Sequence, residues 1–134
     1  MPGYSPTPLP KKLGIKDGFR VCLIDMPADV QAALKPSLAA CTVNGQGKDP
    51  TDFVMLFTKS KSSLAKEFKT LNKSLAPAGM LWVSWPKKSS GVATDLDENI
   101  IREIGLAEGL VDVKVCAVTD VWSGLKFVRR LKDR

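Results

Sequence analysis

The chain has 134 residues, of which 44% are hydrophobic and 25% are charged, and its formal net charge at pH 7 is +6. This size and composition are typical of one globular domain, so residues 1–134 are expected to form a single domain. No apolar run approaches the roughly 20 residues of a transmembrane helix, and the N-terminus lacks the apolar core of a signal peptide, so we expect a cytoplasmic protein.

The residue types present exclude several kinds of active site. The sequence contains no histidine, which rules out zinc hydrolases, Ser-His-Asp triads and Cys-His nucleophiles. Cys22, Cys41 and Cys116 are far apart, and two of them lie in apolar runs, so we interpret them as small buried side chains rather than as a metal site or a disulfide. We predict no catalytic residue and no metal ligand.

The N-terminal segment is rich in proline. Residues 1–12 include Pro2, Pro6, Pro8 and Pro10, and this density of proline predicts an extended or irregular arm. The arm is either a loose terminus or a segment laid across the domain with Tyr4 and Leu9 as anchors.

The first half of the remaining chain predicts two strands around one helix. The apolar run from Arg20 to Asp25 is typical of a strand that is buried on both faces. Helical spacing follows from Ala28 to Leu38, where Pro36 limits the length of the helix. The run from Cys41 to Asn44 predicts a short second strand, and the turn residues from Gly45 to Pro50 predict a loop.

A strand, a helix and a second strand then predict a right-handed crossover with parallel strands. The strands are Asp52–Phe57 and Met80–Trp85, the helix runs from Ser62 to Leu75, and a tight turn is expected at Pro77–Gly79. The helix has an apolar face and, opposite it, lysines at positions 66, 69 and 73. These lysines are either a solvated face or a site for nucleic acid.

The last third of the sequence predicts a helix and a hairpin. Asp95 and Glu98 have the spacing of a capping box, and Gly109 is a candidate for the end of that helix. The strands 113–118 and 125–129 are too close in sequence for a crossover, so they must pair antiparallel. The predicted fold is a three-layer, Rossmann-like α/β domain, whose mostly parallel sheet of about five or six strands ends in an antiparallel hairpin.

The second half resembles a known fold family. The run Asp52–Phe57, the run Leu75-Ala76-Pro77-Ala78-Gly79-Met80-Leu81-Trp82-Val83, a helix and the closing hairpin resemble the second half of class I S-adenosylmethionine-dependent methyltransferases. Nearly the whole chain also resembles a family of short bacterial proteins that is classed only as a domain of unknown function. The residues that carry this likeness are Gly3-Tyr4-Ser5, Lys11–Lys16, Trp85–Lys88, Asp95-Leu96 and Trp122–Leu125. The resemblance implies a trimmed methyltransferase-like fold and no established activity.

Two departures from the methyltransferase pattern concern the cofactor. The first strand is followed by Met26-Pro27-Ala28-Asp29, without the glycine that lets a cofactor approach the backbone. Asn44 stands where the resemblance implies an acidic residue that holds ribose hydroxyls. We therefore expect no cofactor, with S-adenosylmethionine as the alternative.

Candidate site residues lie where the parallel strands end, since ligands of open α/β sheets bind at that edge. They are Asp25, Lys59, Trp85, Lys87, Lys88, Ser89, Ser90, Gly91 and Thr94. The loop from Trp85 to Thr94 combines lysines, hydroxyl groups and a following helix N-terminus, which suits a phosphate or carboxylate. Two alternatives stay open: the loop lysines are solvated charges beside a plain turn, and Asp25 is a helix cap.

These patterns lead to one functional expectation with two alternatives. We expect a non-catalytic binding or regulatory module that recognises a small anionic ligand or a protein partner at the carboxyl edge of the sheet. The alternatives are a reduced S-adenosylmethionine-dependent methyltransferase and a weak nucleic-acid binder, of which the latter is disfavoured. No membrane partner is expected, and both a monomer and a homodimer fit the sequence.

Overall fold

The computed structural model describes residues 7–44 and 50–134. The strands of this part of the chain are β1 (Arg20–Ile24), β2 (Thr42–Val43), β3 (Thr51–Phe57), β4 (Leu75–Pro86), β5 (Leu110–Ala117) and β6 (Trp122–Arg129). Its α-helices are α1 (Leu9–Leu13), α2 (Ala28–Leu38), α3 (Lys61–Ser74) and α4 (Glu98–Ala107). None of these helices combines the length and apolar character that crossing a bilayer requires.

The strands form a single mixed sheet with the order β2-β1-β3-β4-β6-β5. The β1–β2, β1–β3 and β3–β4 pairs are parallel, and β6 pairs antiparallel with both β4 and β5. The β3–β4 register places Phe53 opposite Met80 and Phe57 opposite Ser84. The prediction of a mostly parallel Rossmann-like sheet with an antiparallel C-terminal hairpin is therefore confirmed.

Helices cover both faces of the sheet, because alternate residues of the central strands point to opposite sides. On one side, α3 and α4 pack over a core that includes Val54, Leu56, Leu81, Val83, Leu64, Phe68 and Ile101. On the other side, α1 and α2 pack over Phe53, Met55, Phe57, Trp82, Leu13, Val30 and Leu34. The indole N–H of Trp82 donates a hydrogen bond of 2.9 Å to the carbonyl of Leu13, which ties α1 to the sheet.

The prediction of an extended N-terminal arm over residues 1–12 is wrong for its last four residues. Pro8 has extended dihedral angles, but Leu9–Leu13 is a short helix with a proline in its first turn. Proline is tolerated there because the first N–H groups of a helix have no intrahelical partner. The proposed anchor Leu9 packs against the core on the α1 and α2 side, whereas Tyr4 lies outside the described residues.

The predicted turn at Pro77–Gly79 is also wrong, because β4 begins at Leu75, directly after α3. The β3–β4 register shifts between Thr51, which faces Leu75, and Phe53, which faces Met80. The residues expected to turn thus form a bulged part of the strand. A Cβ on Gly79 would lie 2.9 Å from the carbonyl oxygen of Thr51, so only glycine allows this close approach.

The predicted helix start at Asp95 is shifted, since α4 is capped by Asp97, whose carboxylate accepts from the N–H of Ile100 at 2.8 Å. Asp95 caps a different helix. Its carboxylate accepts a hydrogen bond of 2.8 Å from the N–H of Lys61, the first residue of α3. The predicted end of the helix is confirmed, because Gly109 follows α4 with φ of 88°.

The contact between α4 and β6 gives the first testable prediction. A Cβ on Gly105 would overlap the ring of Phe127 at Cε1. Alanine in a helix usually stabilises by about 0.5–1 kcal/mol relative to glycine. Here we expect Gly105→Ala to reduce the free energy of unfolding by about 1–3 kcal/mol, because α4 must move off the sheet. Urea denaturation measures this.

Phe127→Leu supplies the control for that prediction. If the clash with the ring is the cause, the double variant should lose less stability than the sum of the two single losses. Stabilisation by Gly105→Ala alone would contradict the close packing.

Candidate functional site

A cleft of about 420 Å³ lies at the carboxyl ends of β1 and β3. This is the point where the strand order changes direction: from β1 the chain passes to β2 on one side, and from β3 it passes to β4 on the other. Ligands of open α/β sheets bind at such switch points. The residues that line the cleft are Asp25, Phe57, Thr58, Lys59, Ser60, Ser63, Glu67 and Trp122.

Two aromatic side chains form one wall of the cleft. Phe57, at the end of β3, and Trp122, at the start of β6, meet edge to face with ring centroids 5.1 Å apart and an interplanar angle of 81°. Phe57 is buried and Trp122 is half-buried. The aromatic pair therefore belongs to the core and also offers an apolar surface to a ligand.

The turn from β3 into α3 supplies hydroxyl groups and a carboxylate. The N–H of Thr58 donates to the carbonyl of Ser84 at 3.0 Å, which ties the end of β3 to β4. Ser60 caps α3 by accepting from the N–H of Ser63 at 3.3 Å. Ser60, Ser63 and Glu67 follow each other at spacings of three and four, so one edge of the helix turns all of these side chains toward the cleft.

The turn after β1 adopts its shape without glycine. Asp25 has φ of 55°, and among the described residues it is the one non-glycine residue with positive φ. Glycine usually takes this left-handed conformation, but aspartate tolerates it better than most residues. The turn therefore reaches a left-handed conformation without glycine, but a side chain still projects from Asp25, which is the obstacle to a cofactor that the sequence indicated.

The carboxylates of the cleft influence each other. Burial raises the pKa of Glu67, the negative charge of Asp25 raises it further, and Lys66 opposes the shift. Lys59 adds one exposed ammonium group at the rim. With two carboxylates and one ammonium group, the cleft suits a ligand that carries positive charge better than a simple anion.

Two of the predicted site residues, Asp25 and Lys59, line the cleft, and Thr94 lies next to it. The hydroxyl of Thr94 donates a short hydrogen bond of 2.6 Å to the carbonyl of Lys59. Trp85 lies elsewhere, with 7% exposure in the core under α3 and α4. The sequence therefore predicted the correct edge of the sheet but only some of the side chains that line the cleft.

The loop that was expected to hold an anion lies outside the lining of this cleft. Its residues Lys88–Ser90 form a short 3₁₀ turn that ends at Gly91. The N–H groups of Ser90 and Gly91 and the hydroxyl of Ser90 all donate to carbonyls of Lys87 and Lys88. Lys88 and Ser89 are exposed. The groups proposed for anion binding are therefore engaged within the turn or open to solvent, and their role in binding stays a prediction.

Phe57, Ser63, Glu67 and Trp122 were not among the predicted site residues. The spacing of Ser60, Ser63 and Glu67 was a usable signal for the two helical residues, because it continues one helix edge from the end of a strand. An aromatic residue near a strand end can cover the core or line a pocket, and Trp122 does both.

Comparison with known proteins identifies the fold. No protein-family model and no curated protein sequence matches the chain. Among solved structures, magnesium protoporphyrin IX methyltransferase (ChlM) from Synechocystis PCC 6803 with bound SAH aligns with a TM-score of 0.58 and 16% identity, covering 85% of this chain and 75% of that one. The same enzyme with bound SAM aligns with a TM-score of 0.57 and 14% identity, covering 91% and 74%.

Two further structures extend this likeness. The fibrillarin pre-rRNA processing protein from Methanococcus jannaschii has a TM-score of 0.53 and 13% identity over 86% of this chain and 68% of its own. The ribosomal protein L11 methylase from Lactobacillus delbrueckii subsp. bulgaricus has a TM-score of 0.57 and 11% identity over 91% and 75%. At these identities the likeness shows the fold alone: the chain has a trimmed, Rossmann-like methyltransferase fold.

The comparison corrects two expectations from the sequence. The prediction of a non-catalytic module for a small anionic ligand or a protein partner is wrong, because the ChlM and L11 methylase structures that share this fold are methyltransferases and favour the alternative reading. The prediction that no cofactor is involved is wrong as well, because neighbours were solved with SAM or SAH.

Glu67 gives a prediction of pH dependence. Its pKa is raised above the ordinary value of 4.5, so the folded state holds the proton more tightly than the unfolded chain does. That contribution to stability is complete at pH below 4.5 and is lost as the pH rises through the raised value. We therefore expect Glu67→Gln to increase the free energy of unfolding at pH 7 and to have little effect at pH 4.

Urea denaturation of both proteins at both pH values tests this expectation. Glu103→Gln, which replaces an exposed carboxylate on α4, is the matched control and should not produce such a difference. An equal effect of Glu67→Gln at the two pH values would mean that the carboxylate of Glu67 is not desolvated in the cleft.

Proposed function

We propose that this chain binds S-adenosylmethionine in the cleft at the carboxyl ends of β1 and β3 and acts as a reduced methyltransferase. The observation that carries the proposal is a cleft of about 420 Å³ at the switch point of a methyltransferase-like sheet. Its volume lies within the range of roughly 300–1,000 Å³ that is usual for small-molecule sites.

The chemistry of the cleft supports this ligand. S-adenosylmethionine carries a sulfonium and an ammonium group, and Asp25 and Glu67 provide carboxylates for positive charge. Lys59 provides an ammonium group for the ligand's carboxylate. The ring of Trp122 offers a face to a cation or to a flat base. These residues fit the amino-acid half of S-adenosylmethionine, because both its positive and its negative groups have oppositely charged side chains nearby.

The fit is poorer in the ribose half. Asn44 follows β2 and has an amide in place of the carboxylate that would accept from both ribose hydroxyls. The side chain of Asp25 also projects from the turn after β1, where methyltransferases of this class usually have glycine. We therefore expect affinity to depend mainly on the side chains around β3 and α3.

When bound, the cofactor supplies a methyl carbon activated by the adjacent sulfonium. The chain's own residues have three tasks around it. Asp25 and Glu67 stabilise positive charge, the Phe57 and Trp122 wall excludes water, and Lys59 orients a carboxylate. We propose a small molecule as methyl acceptor, with residues 1–134 acting as one domain in the cytoplasm.

Titration calorimetry with S-adenosylmethionine and S-adenosylhomocysteine tests the proposal. We expect both to bind, and we expect Lys59→Ala to weaken binding about tenfold, the size of effect that loss of one charged hydrogen bond produces. Lys88→Ala removes the same charge from an exposed position outside the cleft lining and should leave the affinity within about twofold.

Two results would contradict the proposal. The absence of heat with either compound at millimolar concentration would remove the cofactor. Equal weakening by Lys59→Ala and Lys88→Ala would show that net charge, rather than this cleft, determines binding. Asp25→Asn tests the sign of the interaction, because it should weaken binding of the sulfonium compound more than binding of S-adenosylhomocysteine, whose sulfur is a neutral thioether.

A further inference from the structure

Four lysines come together on the sheet face that carries α1 and α2. This lysine cluster consists of Lys12, Lys16, Lys114 and Lys126: the charges of Lys12 and Lys114 both act on Cys116 of β5, and those of Lys114 and Lys16 both act on Lys126. Lys114 on β5 faces Lys126 on β6 directly across the strand pair. The ammonium group of Lys114 donates a hydrogen bond of 2.8 Å to the carbonyl of Lys12, which lies 102 residues away in the chain.

Lys126 links the strands to the segment after α1. Its Nζ lies 3.9 Å from the position that a Cβ on Gly14 would occupy. Lys126 also faces Trp82 on β4, whose indole is bonded to the carbonyl of Leu13. The packing of α1 onto β4 therefore fixes the position of the cluster, and its members are not independent surface side chains.

The positive charge of the cluster is not neutralised by the described part of the chain. Within residues 7–44 and 50–134, the ion pairs join Arg20 to Asp52 and Arg102 to Glu98 and Asp112. Asp17 follows Lys16 in sequence but forms no ion pair within those residues. Burial lowers the pKa of Lys126, and the charges of Lys114 and Lys16 lower it further.

Like charges placed directly opposite each other on paired strands are destabilising. The ammonium group of Lys114 donates one hydrogen bond to a helix carbonyl, whereas those of Lys126 and Lys16 have no hydrogen-bond partner within residues 7–44 and 50–134. An anionic partner would relieve this repulsion. Lysines whose mutual repulsion destabilises the protein without a partner indicate an anion-binding surface better than lysines spread along an exposed helix do.

The lysines of α3 offer the contrast. Lys66, Lys69 and Lys73 are exposed and succeed one another along a single helix. Helix spacing accounts for their arrangement without any partner, since the opposite face of α3 enters the core. The lysine cluster and the lysines of α3 each contain at least three lysines, so variants that remove the same number of charges from each can be compared.

We propose that the lysine cluster binds the phosphate backbone of a nucleic-acid chain. Lys16 and Lys114 are exposed, and Lys12 and Lys126 are half-buried, so the charges lie on an open surface that suits an extended polyanion. An anionic membrane fits less well, because exposed Val115 follows Lys114 and points to the opposite face of the strand. The proposal does not depend on the cofactor site.

Fluorescence anisotropy with a labelled single-stranded RNA of about 20 nucleotides tests the proposal across a range of salt concentrations. The key variant combines Lys12→Gln, Lys114→Gln and Lys126→Gln. We expect it to lose at least tenfold in affinity at low salt, and the slope of log K against log salt should fall by about 2, or roughly 0.7 for each phosphate contact. Circular dichroism and the melting temperature report whether the variant folds.

The matched control combines Lys66→Gln, Lys69→Gln and Lys73→Gln, which removes the same charge. We expect it to lose less than about threefold and to keep the salt slope, as long-range charge effects alone are modest. Lys16→Gln adds a variant that removes no side-chain hydrogen bond within the described part of the chain. It should weaken RNA binding about threefold even if the triple variant is unstable.

Three results would overturn the proposal. Equal losses in the two triple variants would assign binding to net charge, and no binding of RNA or DNA at low salt would remove the partner. Binding of the wild type to phosphatidylserine vesicles, with none to nucleic acid, would assign the cluster to a membrane surface.

Discussion

The parallel pairing of β3 with β4 is the constraint on which the rest of the fold depends. From Phe53 to Phe57 the side chains of β3 are at most 2% exposed, so this strand is covered on both faces. A right-handed crossover through α3 is the ordinary way to join two such strands. It brings the carboxyl ends of β1, β3 and β4 to one edge, and the cleft follows from that arrangement. Antiparallel pairing would have placed Asp25 and Lys59 at the opposite edge from the end of β4.

The same edge explains why the cleft favours positive charge although the protein is basic overall. A helix N-terminus at a sheet edge usually attracts an anion. Here α3 is capped by its own chain, because Ser60 accepts from the N–H of Ser63 and Asp95 accepts from the N–H of Lys61. The anion at this helix terminus is thus a side chain of the protein. What faces the cleft beyond the cap is the carboxylate of Glu67 together with Asp25.

The sequence was a reliable guide where one local pattern decides the structure. The apolar runs located β1 and β3 within one residue, and α2 has the predicted limits of Ala28 and Leu38. It failed where distant contacts decide. Pro77 to Gly79 have the chemistry of a turn, yet they form the bulged start of β4, between the two positions where that strand pairs with Thr51 and Phe53. Likewise, the residues around Asp95 give no indication that its carboxylate caps α3 rather than α4.

The candidate site divides in the same way. Asp25 and Lys59 follow strands, so the switch-point rule locates them, whereas Glu67 is recognised only once the direction of α3 is known.

The two edges of the sheet differ in length: β2, at one edge, has only two residues, and its Val43 is 58% exposed. The β2 side of this edge therefore offers few groups for a contact. The lining of the cleft comes mainly from the end of β3, from α3 and from Trp122.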